Sequence, residues 1–114
     1  MKLAIVGSRT FTNYDLLEKT ILENFNIGDI EQIISGGAIG ADTLAEQFAK
    51  KYNIPIIIFK PDWSLGKMAG LLRNNDIIGA SDTVIAFWDG VSKGTKNSID
   101  IGYRLKKRVI IHKV

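Results

Sequence analysis

The segment Ser35-Gly36-Gly37-Ala38-Ile39-Gly40-Ala41-Asp42 separates the apolar run Ile33-Ile34 from a helical pattern over residues 43–51. A strand, a glycine-rich turn and a helix in this order present free backbone N–H groups to an anion. Glycine permits both the close approach of a ligand and the positive φ angles that such turns need. The segment therefore predicts a phosphate or nucleotide site. The alternative is a tight strand-to-helix turn without a ligand.

Short apolar runs alternate with amphipathic patterns along the whole chain. The predicted strands cover residues 3–6, 32–34, 56–59, 83–87 and 109–111, and the predicted helices cover residues 14–25, 43–51, 67–78 and 96–105. This alternation predicts parallel strands joined by right-handed crossovers. We expect a three-layer, Rossmann-like α/β fold with a five-stranded parallel sheet in the order 3-2-1-4-5, and one domain over residues 1–114. The third strand is apolar on both faces, which favours a position that is central in the sheet or covered by helices.

Composition narrows the classes of function. The chain has no cysteine and one histidine, so thiolate chemistry is excluded and we expect neither a metal site nor a cofactor. No secretion signal or membrane-length apolar run is present, which predicts a cytoplasmic protein with no membrane partner. The net charge of +3 is modest, and the basic run at 104–108 carries no interleaved aromatic residues. We therefore do not expect nucleic acid to be a partner.

The expected strand order puts a switch point between strands one and four, where ligands of such sheets bind. The loops after strands one to four are polar and rich in glycine, and they would converge at this edge. The predicted ligand-binding residues are Gly7, Ser8, Arg9, Ser35, Gly36, Gly37, Ala38, Gly40, Asp42, Trp63, Arg73, Asn74, Trp88, Asp89, Ser92, Lys93, Gly94 and Thr95.

The side chains at this edge suggest separate roles. Arg9 either offers a forked guanidinium to a phosphate or forms a salt bridge at the surface. Asp42 either caps the second helix or accepts a hydrogen bond from a ribose hydroxyl. Trp63 and Trp88 either stack on a base or pack against the edge of the sheet. Residues 92–95 would form a second phosphate cradle at the start of the last helix.

Together, these loop motifs resemble the SLOG superfamily, and within it the short YspA-like, cpYpsA-related branch. The resemblance covers essentially the whole chain. Its motifs here are Gly7-Ser8-Arg9, Ser35-Gly36-Gly37-Ala38, Gly40-Ala41-Asp42, Pro61-Asp62-Trp63, Ala69-Gly70, Arg73-Asn74, Ala86-Phe87-Trp88-Asp89-Gly90 and Ser92-Lys93-Gly94-Thr95. The resemblance implies a Rossmann-like fold that binds nucleotides or nucleotide-derived ligands. It also implies roles in ligand sensing, in conflicts between phages and bacteria, and assembly into a homo-oligomer.

The chain is also distantly similar to phosphoribohydrolases of the "lonely guy" type, which carry the motif P-G-G-x-G-T-x-x-E. Gly94-Thr95 matches the G-T pair and Arg73 matches an arginine that precedes the motif, but Ser98 stands where the catalytic glutamate is expected. Without that glutamate, the candidates for a catalytic role are Asp89, Asp42 and Arg73.

Two main hypotheses of function follow. The first is a protein that binds a nucleotide-like or ADP-ribose-like small molecule, as a sensor or to sequester it. The second is a hydrolase of an N-glycosidic or phosphate-ester bond in a nucleotide. DNA binding, as in DNA-processing relatives, is a weaker third hypothesis because the chain lacks a strongly basic face.

Overall fold

Five parallel strands form the centre of the structure, a computed structural model that describes residues 1–114. The strands are β1 (Lys2–Gly7), β2 (Gln32–Ser35), β3 (Ile56–Ile58), β4 (Thr83–Trp88) and β5 (Arg108–Lys113). They lie in the order β3-β2-β1-β4-β5, so the predicted architecture and strand order are confirmed. In the register of the central strands, Leu3 lies opposite Ile33 on one side and Thr83 on the other.

Four α-helices connect the strands and cover both faces of the sheet. They are α1 (Tyr14–Asn24), α2 (Ala41–Lys51), α3 (Ala69–Gly79) and α4 (Lys93–Arg104), with short 3-10 helices at Ile27–Asp29 and Trp63–Met68. Asn13 caps α1, since its side chain accepts a hydrogen bond of 3.1 Å from the amide of Leu16. No helix is both long and apolar enough to cross a lipid bilayer.

The hydrophobic core has one part on each face of the sheet. Successive side chains of a strand point to opposite faces, so Leu3 and Ile5 pack with α1 and α2, whereas Ala4 and Val6 pack with α3 and α4. All four of these side chains are at least nine-tenths buried. A central strand that is apolar on both faces is what the three-layer arrangement requires.

The helix expected over 67–78 is present as α3 (Ala69–Gly79), and the 3-10 helix at Trp63–Met68, interrupted at Gly66 by a φ of +82°, precedes it. Two predictions about other elements were wrong. The last helix begins at Lys93 rather than at residue 96, because Ser92 caps it. The third strand is not fully covered: β3 lies at the edge of the sheet, and Ile57 is 40% exposed.

Candidate functional site

A cleft of about 380 Å³ opens at the carboxyl end of β1, beside the switch point between β1 and β4. Its walls come from the loops after β1 and β2, the 3-10 helix at Trp63–Met68, and the starts of α3 and α4. The lining residues are Val6, Gly7, Arg9, Ala38, Asp42, Trp63, Lys67, Gly70, Leu71, Arg73, Asn74, Ile77, Ser92, Gly94, Thr95 and Ser98. The loops that we expected to converge therefore contribute to one cleft.

The predicted ligand-binding residues divide between the cleft and its surroundings. Those that line it are Gly7, Arg9, Ala38, Asp42, Trp63, Arg73, Asn74, Ser92, Gly94 and Thr95. Those that do not are Ser8, Ser35, Gly36, Gly37, Gly40, Trp88, Asp89 and Lys93. The residues of this second set either pack behind the lining of the cleft or lie outside it.

Positive charge is concentrated in the cleft. Arg9, Lys67 and Arg73 are the cationic side chains of its lining, and Asp42 is the only acidic one. The first turns of α3 and α4, and the loop that leads into α2, also form part of the wall. Helix N-termini carry a partial positive charge and free amides, so the arrangement favours an anion.

The glycines of the loop after β2 serve the packing of the protein itself. Gly40 has a φ of +79°, and a Cβ atom there would collide with the backbone carbonyls of Ser8, at 2.5 Å, and Arg9. The amide of Ala41 donates to the Ser8 carbonyl at 3.3 Å. The glycine is therefore needed where the start of α2 meets the loop after β1, rather than where a ligand would approach.

Arg73 joins the carboxyl ends of two strands. Its Nη1 donates to the carbonyl of Gly36 at 2.6 Å and to that of Phe59 at 3.2 Å, and its Nε donates to Oδ1 of Asn74 at 3.3 Å. Burial lowers the pKa of Arg73, and the nearby Asp42 carboxylate partly opposes this effect. The guanidinium is thus held rigidly in the wall of the cleft.

Asp42 does not cap α2, so that prediction was wrong. The residue before the helix is Gly40, with no side-chain cap, and Asp42 lies in the first turn with Oδ2 accepting a hydrogen bond of 3.1 Å from the amide of Ala38. Burial raises the pKa of Asp42, while the Ala38 amide and the charge of Arg73 act in the opposite direction. Ser35 also lowers this pKa. The fully buried Ser35 hydroxyl makes no hydrogen bond of acceptable geometry, so we assign its effect on this pKa to proximity alone.

Asp89 and Trp88 shape the loop after β4. Oδ1 of Asp89 accepts hydrogen bonds from the amides of Val91 at 2.9 Å and Ser92 at 2.8 Å, which lower the pKa of this carboxyl. The indole N–H of Trp88 donates to the Ser92 carbonyl at 3.0 Å. Asp89 lines a second cleft, next to residues 10–13, so it does not join Asp42 and Arg73. The three candidates for catalysis are not brought together.

Ser92, predicted as part of a phosphate cradle, caps α4 instead. Its Oγ accepts from the amide of Thr95 at 3.4 Å and lies 3.1 Å from the Thr95 hydroxyl. Asn74 links this region to α3, since its Nδ2 donates to the Gly94 carbonyl at 3.4 Å. Several polar groups of the predicted cradle therefore already form hydrogen bonds within the protein.

Lys67 lines the cleft, although it was not among the predicted ligand-binding residues. It is an exposed lysine in the same 3-10 helix as Trp63, which is 63% exposed. Lys67 follows Gly66 and lies four residues after Trp63, and this spacing of an aromatic and a basic side chain was the only signal in the sequence that pointed to it. No group of three or more His, Asp or Glu side chains is placed to hold a metal ion.

The sequence of residues 1–66 matches the model of the family described as "YspA, cpYpsA-related SLOG family". The chain belongs to this SLOG family. The match covers more than half of the chain and confirms the resemblance seen in its motifs. No curated protein sequence matches the chain.

Two solved structures show the same fold. DNA processing protein A from Helicobacter pylori, described by its single-stranded DNA binding mode, is 22% identical with a TM-score of 0.74, over 97% of this chain and 64% of that chain. DNA processing protein A (DprA) from Streptococcus pneumoniae is 21% identical with a TM-score of 0.81, over 96% of this chain and 49% of that chain. This SLOG chain thus spans less than two thirds of either relative, and the likeness establishes a shared fold.

The similarity to a protein that binds single-stranded DNA contradicts two predictions. The ligand was expected to be a nucleotide-like small molecule, bound or hydrolysed, and nucleic acid was not expected as a partner. The physical reason for the error is that charge was judged over the whole chain. The net charge of +3 is modest, but three cationic side chains of the folded protein line one cleft.

Proposed function

We propose that this SLOG domain binds single-stranded DNA at the cleft. The observation that carries the proposal is the composition of the cleft: three cationic side chains, one carboxylate and an exposed tryptophan at one edge of the sheet. Proteins that bind single strands without sequence preference combine a positively charged groove with aromatic side chains on which bases stack. The similarity in fold to a protein that binds single-stranded DNA supports the same conclusion.

The phosphates of the strand would contact the cationic side chains. Arg9 and Lys67 are exposed and can adjust to the strand, whereas Arg73 is held in place by its bonds to the carbonyls of Gly36 and Phe59. A volume of about 380 Å³ lies near the lower end of the range of ligand pockets, roughly 300–1,000 Å³. The cleft would therefore receive a short part of the strand, and the neighbouring nucleotides would lie on the surface.

Trp63 is the candidate for base stacking. It begins the 3-10 helix that Asp62 caps, since Oδ1 of Asp62 accepts hydrogen bonds from the amide of Ser64 at 3.1 Å and from its hydroxyl at 2.6 Å. Trp88 is less suited to this role, because its indole N–H is bonded to the Ser92 carbonyl and the ring packs against the core. We therefore assign base stacking to Trp63 and not to Trp88.

The test is fluorescence anisotropy with a labelled thymidylate oligonucleotide and with a duplex of the same length. Trp63→Ala should weaken binding of the single strand by about 1–3 kcal/mol, or roughly 5- to 150-fold, and Trp63→Phe should retain part of the affinity. Lys67→Ala should lower the slope of log affinity against log salt concentration by about one. Lys50→Ala, which removes an exposed lysine from the last turn of α2, is the matched control and should bind like the wild type.

Equal affinity of the wild type, Trp63→Ala and Lys67→Ala would contradict the assignment of the cleft. Absence of any binding to the single strand by the wild type would contradict the function. Residues 1–114 would act as one binding domain. A cytoplasmic location, a homo-oligomer and a role in conflicts between phages and bacteria stay predictions.

A further inference from the structure

The loop over residues 36–40 already holds an anion that belongs to the protein. The Ala38 amide, which a phosphate at the start of α2 would need, donates to Oδ2 of Asp42 at 3.1 Å. A Cβ atom on Gly36 would lie 3.0 Å from that oxygen and 2.5 Å from Nη1 of Arg73. The carboxylate is therefore packed against the loop, and there is no room beside it for a side chain at position 36.

Charged and polar groups from four elements surround this carboxylate. Arg73 acts on it from α3, Glu46 lies one turn further along α2, and Ser35 belongs to β2. Arg9, from the loop after β1, lines the same cleft and affects the pKa of Arg73. The fully buried Ser35 hydroxyl has no hydrogen-bond partner. Asp42 thus forms part of the polar wall of the cleft.

We propose that Asp42 is a specificity-determining residue, which makes the cleft favour the singly charged phosphodiesters inside a strand over the doubly charged phosphate monoester at a strand end. This inference rests on the proposed binding of single-stranded DNA. Each additional negative charge on the ligand is repelled by the carboxylate, and the repulsion is strong at short range in a partly buried site. In addition, the Ala38 amide is occupied, so a terminal phosphate loses a donor that helix N-termini normally supply.

The experiment compares two short thymidylate oligonucleotides of identical sequence, one with a 5′-hydroxyl and one with a 5′-phosphate, each labelled at the 3′ end. Anisotropy titrations are run well above the second pKa of the phosphate, about 6, so that the monoester is a dianion. Asp42→Asn keeps the shape of the side chain and an oxygen that accepts from the Ala38 amide. Glu46→Gln makes the same change in charge one turn further along α2 and is the matched control, since Glu46 does not line the cleft.

The wild type and Glu46→Gln should bind the phosphorylated strand no more tightly than the strand with a 5′-hydroxyl. Asp42→Asn should bind the phosphorylated strand about tenfold more tightly than the other, which corresponds to about 1.4 kcal/mol. A wild type that prefers the phosphorylated strand, or an Asp42→Asn variant without any preference, would overturn the inference. If Asp42→Asn does not fold, Asp42→Ser, whose hydroxyl can also accept from a nearby amide, replaces it in the same comparison.

A second measurement separates this inference from the proposed function. If the wild type binds neither strand, the proposed function fails, and inorganic phosphate then decides the role of Asp42. Phosphate should raise the melting temperature of Asp42→Asn but not that of the wild type or of Glu46→Gln. The absence of such a difference would overturn the inference.

Discussion

Replacing Arg73 by alanine should destabilise the fold, because this side chain connects the carboxyl ends of β2 and β3. Its Nη1 bonds to the carbonyls of Gly36 and Phe59 would be lost, at 2.6 and 3.2 Å. Hydrogen bonds that involve a charged group contribute roughly 1.5–3 kcal/mol each. Water can reach the half-buried site and the cost of burying the guanidinium disappears, so we expect a net loss of about 2–3 kcal/mol. At about 4 °C per kcal/mol, the melting temperature should fall by about 8–12 °C.

Urea unfolding followed by tryptophan fluorescence measures this loss directly. Arg73→Lys should recover only part of it, because an ammonium group lacks the planar fork of the guanidinium. Arg104→Ala is the matched control: this exposed arginine makes one hydrogen bond, of 3.2 Å, to Oδ1 of Asn75, and its removal should change stability by less than about 0.5 kcal/mol. A loss below about 0.5 kcal/mol in Arg73→Ala would refute the structural role, and the arginine would then serve the ligand alone.

Three further predictions concern the loops and the contact between α1 and α2. Gly40→Ala should lose more than about 2 kcal/mol in the same unfolding assay, because its φ is +79° and the new Cβ atom would collide with the Arg9 carbonyl. Glu18 bonds to Lys51 at 2.6 Å, and this contact, followed by that of Tyr52, lowers the pKa of Glu18 below its usual 4.5. The contribution of Glu18 to stability is present above the pKa that this carboxyl has in the unfolded chain, and it is lost as the pH falls through the lower pKa of the folded protein. The difference in melting temperature between the wild type and Glu18→Gln should therefore shrink in acid. Burial, followed by the Glu18 charge, raises the pKa of Tyr14 from 10.0 to about 12, and burial also raises the pKa of Tyr52. Ultraviolet titration should therefore find one fewer late-titrating tyrosine in Tyr14→Phe than in the wild type. The contribution of Tyr14 to stability is present below pH 10 and should be lost as the pH rises towards 12, which the pH dependence of the melting temperature can show.

The elements that the sequence predicted well are those with strong local signals. The run of Leu3 to Val6 is apolar at every position, and its two faces are buried against different helices. Asn13 caps α1 through a contact with Leu16, only three residues away. Such signals need no knowledge of distant parts of the chain. The 3-10 helix at Trp63–Met68 was missed because Pro61 and Gly66 are residues typical of a loop, and a helix this short has no apolar periodicity to reveal it.

The candidate site was predicted at the correct edge but not in its details. Parallel strands with crossovers bring the loops after β1, β2 and β4 to one edge, and this placement does not depend on the side chains of those loops. The sequence could not show that Asp89 bonds to the amides of its own loop and lines a different cleft. Nor could it show that Lys67 joins Arg9 and Arg73 in the lining, since these residues lie far apart in the chain.

The sequence by itself determined the five strands, their order and the edge where the glycine-rich loops meet, because alternating apolar runs and amphipathic helices have few ways to bury their surfaces together. Only the tertiary structure decided which polar groups are engaged within the protein and which line the cleft. Arg73 and Gly36 are 37 residues apart, and Asp42 accepts a hydrogen bond from the Ala38 amide in a partly buried loop. Those contacts depend on distances of a few ångströms between segments that only folding brings together. Folding also places three cationic side chains in one cleft, although the net charge of the whole chain is modest.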